Sequence, residues 1–378
     1  MKYILSLGLF SSNDIDSGSK LLLKTVAQQI EKDKISSVLD MGCGVGVIGI
    51  SLKKHLSEAS VIMRDRDALA VAFSRENAKI NKVDGLAIEN SLSLENLEEK
   101  SLDLLISNIP AKAGETVLDD FFRRSVNFIT SEGRVAVVIV APLADFAEEK
   151  ILQYGHEILH KESTYHYSVF HFRGEASSNP DDEMAVYVRN SDRFLLKKTE
   201  YRLETAFNIA DFDQTGFRIT HAAEILNPFQ IRGNGLFWNP GQGHIPVFTA
   251  LKKNNRLDKV YLTGRDLLQI RITDRNMKRE MPQVETIELP LFTESQLPDA
   301  VGEQSLDFAC FDITPVTRTE WEQDLKEAAR KILKPGGWFF VIGKSADIHK
   351  LLKDNKGFTP VEDRKYKGIR GALFKRNS

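Results

Sequence analysis

A chain of 378 residues, 42% of them hydrophobic and 28% charged, has the composition of an ordinary globular protein and the length of two domains. Its formal net charge of −2 excludes a general attraction to nucleic acid, so any such contact must use a local basic patch. The two cysteines, Cys43 and Cys310, exclude a disulfide framework and a cysteine-based zinc cluster, and they are typical of a reducing compartment.

The N-terminal segment begins with a short apolar run, Tyr3–Leu7, which predicts a strand. It is too short for a secretory signal, and no run in the chain approaches the ~20 residues of a membrane span, so we expect a cytoplasmic protein without membrane contact. A helix is predicted over Lys20–Ile30, with Ser17 or Ser19 as its cap. This helix start is either an ordinary capped end or a site for an anionic group, because helix N-termini attract negative charge.

A glycine-rich turn follows the first buried strand. The apolar run Ile35–Leu39 predicts that strand, Asp40 follows it, and Val47–Leu56 predicts a helix. Strand, G-x-G-x-G turn and helix together are typical of a nucleotide-type cofactor loop, because glycines let a ligand approach the backbone and the helix start offers free N–H groups. A second acid, Asp65, ends the next predicted strand, where a carboxylate can accept both ribose hydroxyls of an adenosine. The glycines of the turn are Gly42, Gly44 and Gly46.

Strand and helix patterns then alternate up to residue 172. Such alternation predicts a parallel sheet covered by helices. The period-two pattern of Thr164–Phe172 predicts a strand of an antiparallel hairpin at the edge of that sheet. The other predicted strands are 37–39, 60–63, 85–88, 102–107 and 134–140, and the predicted helices are 68–81 and 118–129.

The second half of the chain repeats motifs of the first half in the same order and at similar spacing. For example, Ser101-Leu102-Asp103-Leu104 is repeated as Ser305-Leu306-Asp307-Phe308, and Asn108-Ile109-Pro110 as Asp312-Ile313-Thr314-Pro315. Five repeats in order indicate a duplicated domain. We expect a first domain over residues 1–175, a polar linker over 176–195 and a second domain over 196–378.

The second copy lacks the two acids of the first. Matching the motifs places Asn239 opposite Asp40 and Gly264 opposite Asp65, unless Asp266 replaces the missing acid. A pocket without the ribose acid loses charged hydrogen bonds of roughly 1.5–3 kcal/mol each. We therefore expect a degenerate second copy that keeps the fold without the cofactor.

The first copy resembles the small methyltransferase domain that occurs in bacterial ribosomal RNA guanine exocyclic-amine methyltransferases. The resemblance is carried by Gly8-Leu9-Phe10-Ser11, by Asp16-Ser17-Gly18-Ser19, by the turn after Val38-Leu39 and by Ser107-Asn108-Ile109-Pro110. It implies two tandem Rossmann-like domains, each with a mostly parallel seven-stranded sheet and an antiparallel edge hairpin, the second domain being degenerate. In the enzymes that it resembles, the degenerate copy is the N-terminal one, so the order here is reversed.

The resemblance also implies a cofactor, S-adenosylmethionine (SAM), and a set of site residues. The methionine portion would lie on Asp40, Gly42, Gly44 and Gly46, with Gly18 and Ser19 at its carboxylate. Asp65 would hold the ribose and Asn90 the adenine edge. Asn108 and Pro110 match the family's catalytic Asn-Pro-Pro-aromatic turn, in which the Asn side chain accepts a hydrogen bond from a planar amine and orients its nitrogen toward the methyl group. No metal site is implied.

Two positions depart from the family's catalytic turn: Ile109 replaces the first proline and Ala111 the aromatic residue that stacks on the target base. Tyr165, Tyr167 or Phe10 is an alternative source of that ring. We expect a SAM-dependent methyltransferase that acts from its first domain on a nitrogen acceptor, with RNA as substrate. A protein amide or a small molecule as substrate, and a non-catalytic SAM-binding protein, remain alternatives.

Several other residues have both a functional and a structural interpretation. Basic stretches in the second half offer contacts to the phosphates of ribosomal RNA, although solvated helix faces carry the same pattern. Cys43 is interpreted as a small filler of the glycine turn, and four histidines as structural residues because they lack metal-ligand spacing. The basic residues are Arg265, Arg271, Arg275, Lys278 and Arg279, then Lys367, Arg370, Lys375 and Arg376; the histidines are His156, His160, His166 and His171.

Overall fold

The computed structural model describes residues 1–6, 8–9, 16–31, 34–110, 112–180, 182–211, 213–315 and 320–378. The chain divides into two compact units, Met1–Tyr187 and Val188–Ser378. Each unit has its own sheet and its own core, and the two are described separately. Within the described ranges, no helix is long and apolar enough to cross a membrane, and no cluster of side chains suited to a metal ion is found.

The first unit is an α/β sandwich around a mostly parallel sheet. Among the described residues the strand order is β3-β2-β1-β4-β5-β7-β6, with β7 antiparallel to both of its neighbours and the other pairs parallel. This confirms the predicted seven-stranded sheet with an antiparallel edge hairpin. The elements are α1 (Ser17–Gln29), β1 (Ser37–Met41), α2 (Val47–His55), β2 (Ser60–Asp65), α3 (Ala68–Ile80), β3 (Leu86–Asn90), β4 (Leu102–Asn108), α4 (Glu115–Arg124), β5 (Ile129–Val140), α5 (Ala144–Gln153), β6 (Glu157–Ser163) and β7 (Tyr167–Arg173).

The core of the first unit lies on both faces of this sheet. One apolar cluster includes Leu22 of α1 and Ile50 of α2, and the other includes Phe121 and Phe122 of α4. The central strands β1, β4 and β5 contribute to both clusters, which explains their nearly continuous apolar sequences. Parallel strands covered in this way bring all their carboxyl ends to one edge of the sheet, and the polar strand-end residues therefore meet there.

The second unit repeats this architecture after an added hairpin. Its sheet has the order β12-β11-β10-β13-β14-β16-β15 in the part of the chain that the structure describes, which is the order of the first sheet strand for strand. The predicted pair of Rossmann-like domains is thereby confirmed. The elements are β8 (Val188–Leu196), β9 (Thr199–Ala206), α6 (Phe217–Leu226), β10 (Arg232–Trp238), α7 (His244–Leu251), β11 (Arg256–Gly264), α8 (Leu267–Glu280), β12 (Glu285–Pro290), α9 (Leu297–Val301), β13 (Leu306–Asp312), α10 (Trp321–Ile332), β14 (Leu333–Lys344), α11 (Ser345–Leu351), β15 (Phe358–Tyr366) and β16 (Ile369–Arg376).

The start of the chain differs from its prediction in two ways. Residues 1–6 form no strand, and Leu7 lies outside the described residues. The Ile4 backbone instead bonds to the buried side chain of Asn77, whose Oδ1 accepts from the Ile4 N–H at 2.7 Å while its Nδ2 donates to the Ile4 carbonyl at 3.0 Å. An amide side chain thus satisfies backbone groups that a strand partner would otherwise pair. Helix α1 begins at Ser17, earlier than predicted, and its cap is Asp16, which accepts from the Ser19 N–H.

Candidate functional site

Four polar side chains meet at the carboxyl edge of the first sheet. Asp40 is the penultimate residue of β1, and Asp65, Asn90 and Asn108 are the last residues of β2, β3 and β4. These strands are consecutive in the sheet, and Asn90 Nδ2 donates to the Asp65 carbonyl at 3.2 Å. The sequence analysis predicts all four as site residues, and the parallel order of the strands brings them to the same edge of the sheet as the glycine turn.

The glycine turn leaves its backbone open to a ligand. Gly42, Gly44 and Gly46 have φ values of +74°, +56° and +89°, a region that side chains rarely tolerate. A Cβ atom added at Gly42 or Gly44 would meet no described atom within 4 Å, whereas one at Gly46 would lie 2.7 Å from Ile50 Cδ1. The first two glycines therefore form a cradle that side chains would fill, and the third makes room for the packing of α2.

Asp40 is a buried carboxyl group with only one of its oxygens satisfied. Its side chain is 0% exposed, and Oδ2 accepts from the Gly49 N–H at 2.7 Å. Oδ1 has no hydrogen-bond partner among the described residues. Burial raises the pKa of Asp40 to about 7, although the Gly49 N–H acts in the opposite direction. The group is thus poised to ionise when a cation or a hydrogen-bond donor approaches it.

Asp65 connects the glycine turn to the end of β2. Its Oδ2 accepts from the Gly44 N–H and its Oδ1 from the Asp67 N–H, both at 2.9 Å. Burial raises the pKa of Asp65 to about 6 against the effect of these two bonds. Each carboxylate oxygen has more than one acceptor site, so the group retains capacity for the hydroxyls of a ribose.

Asn108 has its amide nitrogen bonded and its amide oxygen free for a ligand. Nδ2 donates to Asp16 Oδ2 at 2.8 Å and to Ser19 Oγ at 2.9 Å, while no described residue donates to Oδ1. The next residue, Ile109, is buried and its N–H extends the ladder to the Val138 carbonyl, a bond that the family's proline at this position does not form. Pro110 is exposed, and Ala111 lies outside the described residues.

Sequence reasoning missed the pairing of Asp16 with Tyr167. The Tyr167 hydroxyl donates to Asp16 Oδ1 at 2.8 Å, across 151 residues of sequence. A Cβ at Gly18 would lie 2.8 Å from Asp16 Oδ2 and 2.9 Å from Tyr167 Cε1, so this glycine makes room for the contact. Of the rings considered as stacking partners, Tyr165 is 90% exposed, Tyr167 is anchored to Asp16, and Phe10 lies outside the described residues. No local sequence signal reports such a long-range contact.

Of the residues interpreted as structural, Cys43, His156 and His171 are buried. Burial raises the pKa of the Cys43 thiol, so it stays protonated and is no nucleophile. His156 contacts the Phe122 carbonyl and stacks on Phe172, and His171 bonds to Thr25 at 2.9 Å.

The basic stretches of the second unit are largely engaged within that unit. Arg271 pairs with Glu288, and Lys278 pairs with Asp274. Further internal contacts are those of Arg275 and Arg279 with Glu204, Arg370 with Asp363, Lys367 with the Phe217 ring, Lys375 with the Trp338 ring and Arg376 with the Leu333 carbonyl. These contacts favour the structural interpretation of the pattern.

The strand register corrects the predicted equivalence between the two glycine turns. Asp40 pairs with Met63 and Ile106, and the residue with the equivalent pairing to Leu262 and Cys310 is Phe237. Asn239, which the sequence placed opposite Asp40, instead takes the place of Gly42, with φ of +51° and an N–H bond to the Thr263 carbonyl. Asn tolerates the left-handed region better than most residues, which is why it can replace a glycine there.

The rest of the second site is closed by a salt bridge. Asp312, the equivalent of Asn108 at the end of β13, pairs with Arg218 of α6. Gly264 ends β11 as Asp65 ends β2, and Asp266 caps α8 just as Asp67 caps α3. Asp266 therefore does not replace the missing ribose acid. The second unit has a buried phenylalanine, a glycine and an ion pair where the first has two acids and a carboxamide.

Comparison with known proteins agrees with this geometry. The family model "Methyltransferase small domain" matches residues 1–167. The uncharacterized protein YbxB of Bacillus subtilis (strain 168) is 31% identical over 133 residues, which are 35% of this chain and 65% of that protein. Ribosomal RNA small subunit methyltransferase C of Photorhabdus laumondii is 34% identical over 135 residues, 35% of this chain and 38% of that protein. This chain therefore covers less than two thirds of either relative.

A solved structure shares the fold of the whole chain. It is a 16S rRNA N2 methyltransferase of T. thermophilus in complex with AdoMet and guanosine, with a TM-score of 0.68 and 16% identity over 99% of this chain and 95% of that one. At this identity the likeness establishes the tandem fold alone.

Proposed function

We propose that this chain is a SAM-dependent methyltransferase whose first unit modifies a nitrogen of ribosomal RNA, because the methyltransferase small-domain model matches residues 1–167. The observation that carries this proposal is the cradle at Gly42 and Gly44, bordered by Asp40, Asp65 and Asn108. When bound, SAM supplies a methyl group that the acceptor nitrogen takes while the electrons of the C–S bond return to sulfur and a proton leaves the nitrogen.

The cofactor-binding roles follow from the positions of the side chains. The open backbone of the glycine turn can lie against the methionine portion, and the unsatisfied Oδ1 of Asp40 favours the positive charge that SAM carries. Asp65 offers its remaining acceptor sites to the ribose hydroxyls. Asn90, the last residue of the neighbouring strand β3, would contact the adenine edge. Gly18 and Ser19 lie in the first turn of α1, where the helix N-terminus favours a carboxylate although the Ser19 N–H is already bonded to Asp16.

The acceptor chemistry rests on Asn108. Its Nδ2 is already bonded, so Oδ1 is the atom that faces a substrate. An amide oxygen accepts a hydrogen bond from an amine N–H, and this contact orients the nitrogen lone pair toward the methyl group. Pro110, exposed directly after this strand end, would border the same space. These features support nitrogen rather than carbon as the methylated atom.

Ribosomal RNA is proposed as substrate because the curated relatives that bear an activity name act on small-subunit rRNA. The internal pairing of the second unit's basic side chains means that RNA contact should depend mainly on the first unit. Tyr165, 90% exposed on the turn between β6 and β7, is available there as a stacking surface. This substrate implies that the protein works in the cytoplasm.

Cofactor binding is tested by titration calorimetry with SAM. We expect one site per chain, and Asp65→Ala should weaken binding by about tenfold or more, because a charged hydrogen bond is worth ~1.5–3 kcal/mol. The matched control is Asp266→Ala, which changes an acid of the second unit's helix cap and should leave SAM affinity unchanged. Absence of SAM binding, or undiminished binding by the Asp65 variant, would contradict the proposal.

Methyl transfer is tested with tritiated SAM and ribosomal RNA extracted from cells that lack the protein. We expect label in a single nucleoside of small-subunit rRNA, on a nitrogen, and a large fall in the labelling rate in Asn108→Ala. Label in protein instead of RNA would mean that the chain is a methyltransferase with a protein substrate. SAM binding without any transfer would reduce the chain to a cofactor-binding protein.

A further inference from the structure

The side chain of Asn108 is held by a network that joins three distant segments of the first unit. We propose that Asp16 and Tyr167 are positioning residues that lock the Asn108 carboxamide with Oδ1 facing the acceptor amine. This inference rests on the proposed function and adds to it two residues that have no role in binding or catalysis above.

Asp16 determines the direction of the Asn108 amide. Asp16 is a carboxylate and accepts hydrogen bonds only, so the group of Asn108 that faces Asp16 Oδ2 at 2.8 Å must be the NH2. The second N–H donates to Ser19 Oγ at 2.9 Å. With both amide hydrogens bonded, the carboxamide cannot rotate without losing two hydrogen bonds. Its Oδ1 is therefore held away from α1, where a substrate can reach it.

The Asp16 carboxylate is itself anchored by hydrogen bonds from α1 and β7. Its Oδ2 also accepts from the Ser19 N–H at 3.0 Å, which fixes the carboxylate to the start of α1. Its Oδ1 accepts from the Tyr167 hydroxyl at 2.8 Å, which fixes the carboxylate to the start of β7. Gly18 permits this approach, since a Cβ there would contact both Asp16 and the Tyr167 ring. The carboxylate is thus held from two sides.

The second unit shows which of these residues the fold requires. Counted from the helix caps, Gly216 takes the place of Asp16 and Ile219 that of Ser19. Ile369 begins β16 opposite the last residue of β14, as Tyr167 begins β7 opposite the last residue of β5. Asn108 itself is replaced by Asp312. The second unit has other residues at these four positions although its sheet order is the same, and its Asp211 carboxylate, which lies beside Gly216, interacts with Arg218 instead of a carboxamide.

Other polar contacts survive the duplication, so the loss is selective. Asn77 of α3 bonds to the Ile4 backbone and to the Val45 carbonyl of the glycine turn. Asn276 of α8 makes the same three kinds of bond, to the Glu204 backbone and to the Gln242 carbonyl. Contacts that build the fold are retained in both units, whereas among the residues that the structure describes the Asp16–Tyr167–Asn108 network is found in the first unit alone. This pattern assigns the network to the reaction rather than to folding.

The test compares two tyrosine hydroxyls that make similar bonds. Tyr167→Phe removes the donor to Asp16, and Tyr154→Phe removes a donor to Asp119 Oδ2, also at 2.8 Å, in the same unit. With tritiated SAM and rRNA from cells lacking the protein, we expect Tyr167→Phe to lower kcat about tenfold while KM for SAM stays unchanged. Tyr154→Phe should leave both constants unchanged. Equal kcat values for wild type and Tyr167→Phe would overturn the proposal.

A double-mutant cycle separates positioning from a general structural effect. If Tyr167 acts through Asn108, the residual activity of Asn108→Ala should not fall further when Tyr167→Phe is added. A further tenfold fall in the double variant would mean that Tyr167 acts by another route, and the proposal would be wrong.

A spectroscopic measurement does not depend on methyl transfer. In 15N spectra of the full chain, the side-chain NH2 of Asn108 is assigned by its disappearance in Asn108→Ala. We expect its two protons to exchange slowly with solvent in the wild type and at least tenfold faster in Tyr167→Phe, with no change in Tyr154→Phe. If the protein proves inactive but this result holds, the proposed function fails and the network stands. If exchange is fast in the wild type, the network fails whatever the activity.

Discussion

Replacing Asp40 by Asn should remove a large pH dependence from the stability of the first unit. The wild-type carboxyl is completely buried, with one oxygen bonded to the Gly49 N–H and the other unsatisfied. Asn keeps the shape and the acceptor for Gly49 but cannot ionise. The variant therefore removes only the cost of burying a negative charge at high pH.

The direction and size of this pH dependence follow from the pKa of Asp40 in the folded and in the unfolded protein. Burial raises the pKa of Asp40 from 3.8 to about 7, so the folded protein binds this proton more tightly than the unfolded chain. The resulting stabilisation is complete below pH 3.8 and is lost as the pH rises through 7. Between pH 5 and pH 8 the wild type should lose about 2.5 kcal/mol of unfolding free energy from this group alone. Asp40→Asn should lose none of it.

The assay must report the first unit specifically. All three tryptophans lie in the second unit, at Trp238, Trp321 and Trp338, so their fluorescence is unsuitable. The protein is instead equilibrated in urea at pH 5 or pH 8 and pulse-labelled with deuterium under one fixed condition. The labelling of peptides from β1 and β4 then gives the fraction of the first unit that is unfolded.

A matched control comes from Asp103→Asn. Burial tends to raise the pKa of Asp103, but hydrogen bonds from Ser36 and Ser37 lower it below 3.8 overall, so this group is ionised in both states at pH 5 and above. Its replacement should weaken the unit yet leave the difference between pH 5 and pH 8 unchanged. If Asp40→Asn shows the same pH difference as the wild type, burial does not keep this carboxyl protonated and the reasoning is refuted.

Three further predictions follow from the glycine turn and its acids. Ionised Asp40 favours a cation, so the Kd for SAM should rise by up to about tenfold for each pH unit below 7, and calorimetry showing a constant Kd from pH 6 to 8 would contradict this. Gly44→Ala should abolish SAM binding and lower the free energy of unfolding by about 1–2 kcal/mol. Gly46→Ala should lower it further, because the added Cβ meets packed side chains, so the first unit should unfold at a lower urea concentration. Equal urea midpoints for the two variants would contradict this difference between the two glycines. Burial raises the pKa of the Cys43 thiol, so iodoacetamide should not label it in the folded protein at pH 8, as peptide mass spectrometry can check.

Much of the site could be predicted because its residues stand at the ends of predictable strands. The apolar run before Asp40 and the glycines after it define a strand and a turn from local sequence. The alternation of strands and helices then predicts parallel order, which brings Asp65, Asn90 and Asn108 to the same edge. Strand order alone therefore predicts that these residues lie at one edge, without any knowledge of side-chain geometry.

The errors arose where position depends on register or on distant contacts. Matching letters placed Asn239 opposite Asp40 because both are polar residues before a glycine turn. The strand pairing moves it by two positions, onto Gly42, since Asn tolerates the left-handed backbone that the turn requires. A sequence signal for this existed in the count of residues back from the helix cap. Gly46 and Gly243 each cap a helix, and Gly42 and Asn239 each stand four residues before that cap.

The two units together show which features the fold keeps whether or not a ligand binds. The left-handed turn and the Asn77 and Asn276 bridges persist in both, because a strand, a tight turn and a helix must be joined whether or not a ligand binds. The second unit replaces the buried acid by Phe237, which needs no partner in an apolar site, and closes the strand end with the Arg218–Asp312 pair. An unsatisfied buried carboxyl lowers stability at neutral pH, so its retention in the first unit alone is what selection for cofactor binding, rather than for folding, would maintain.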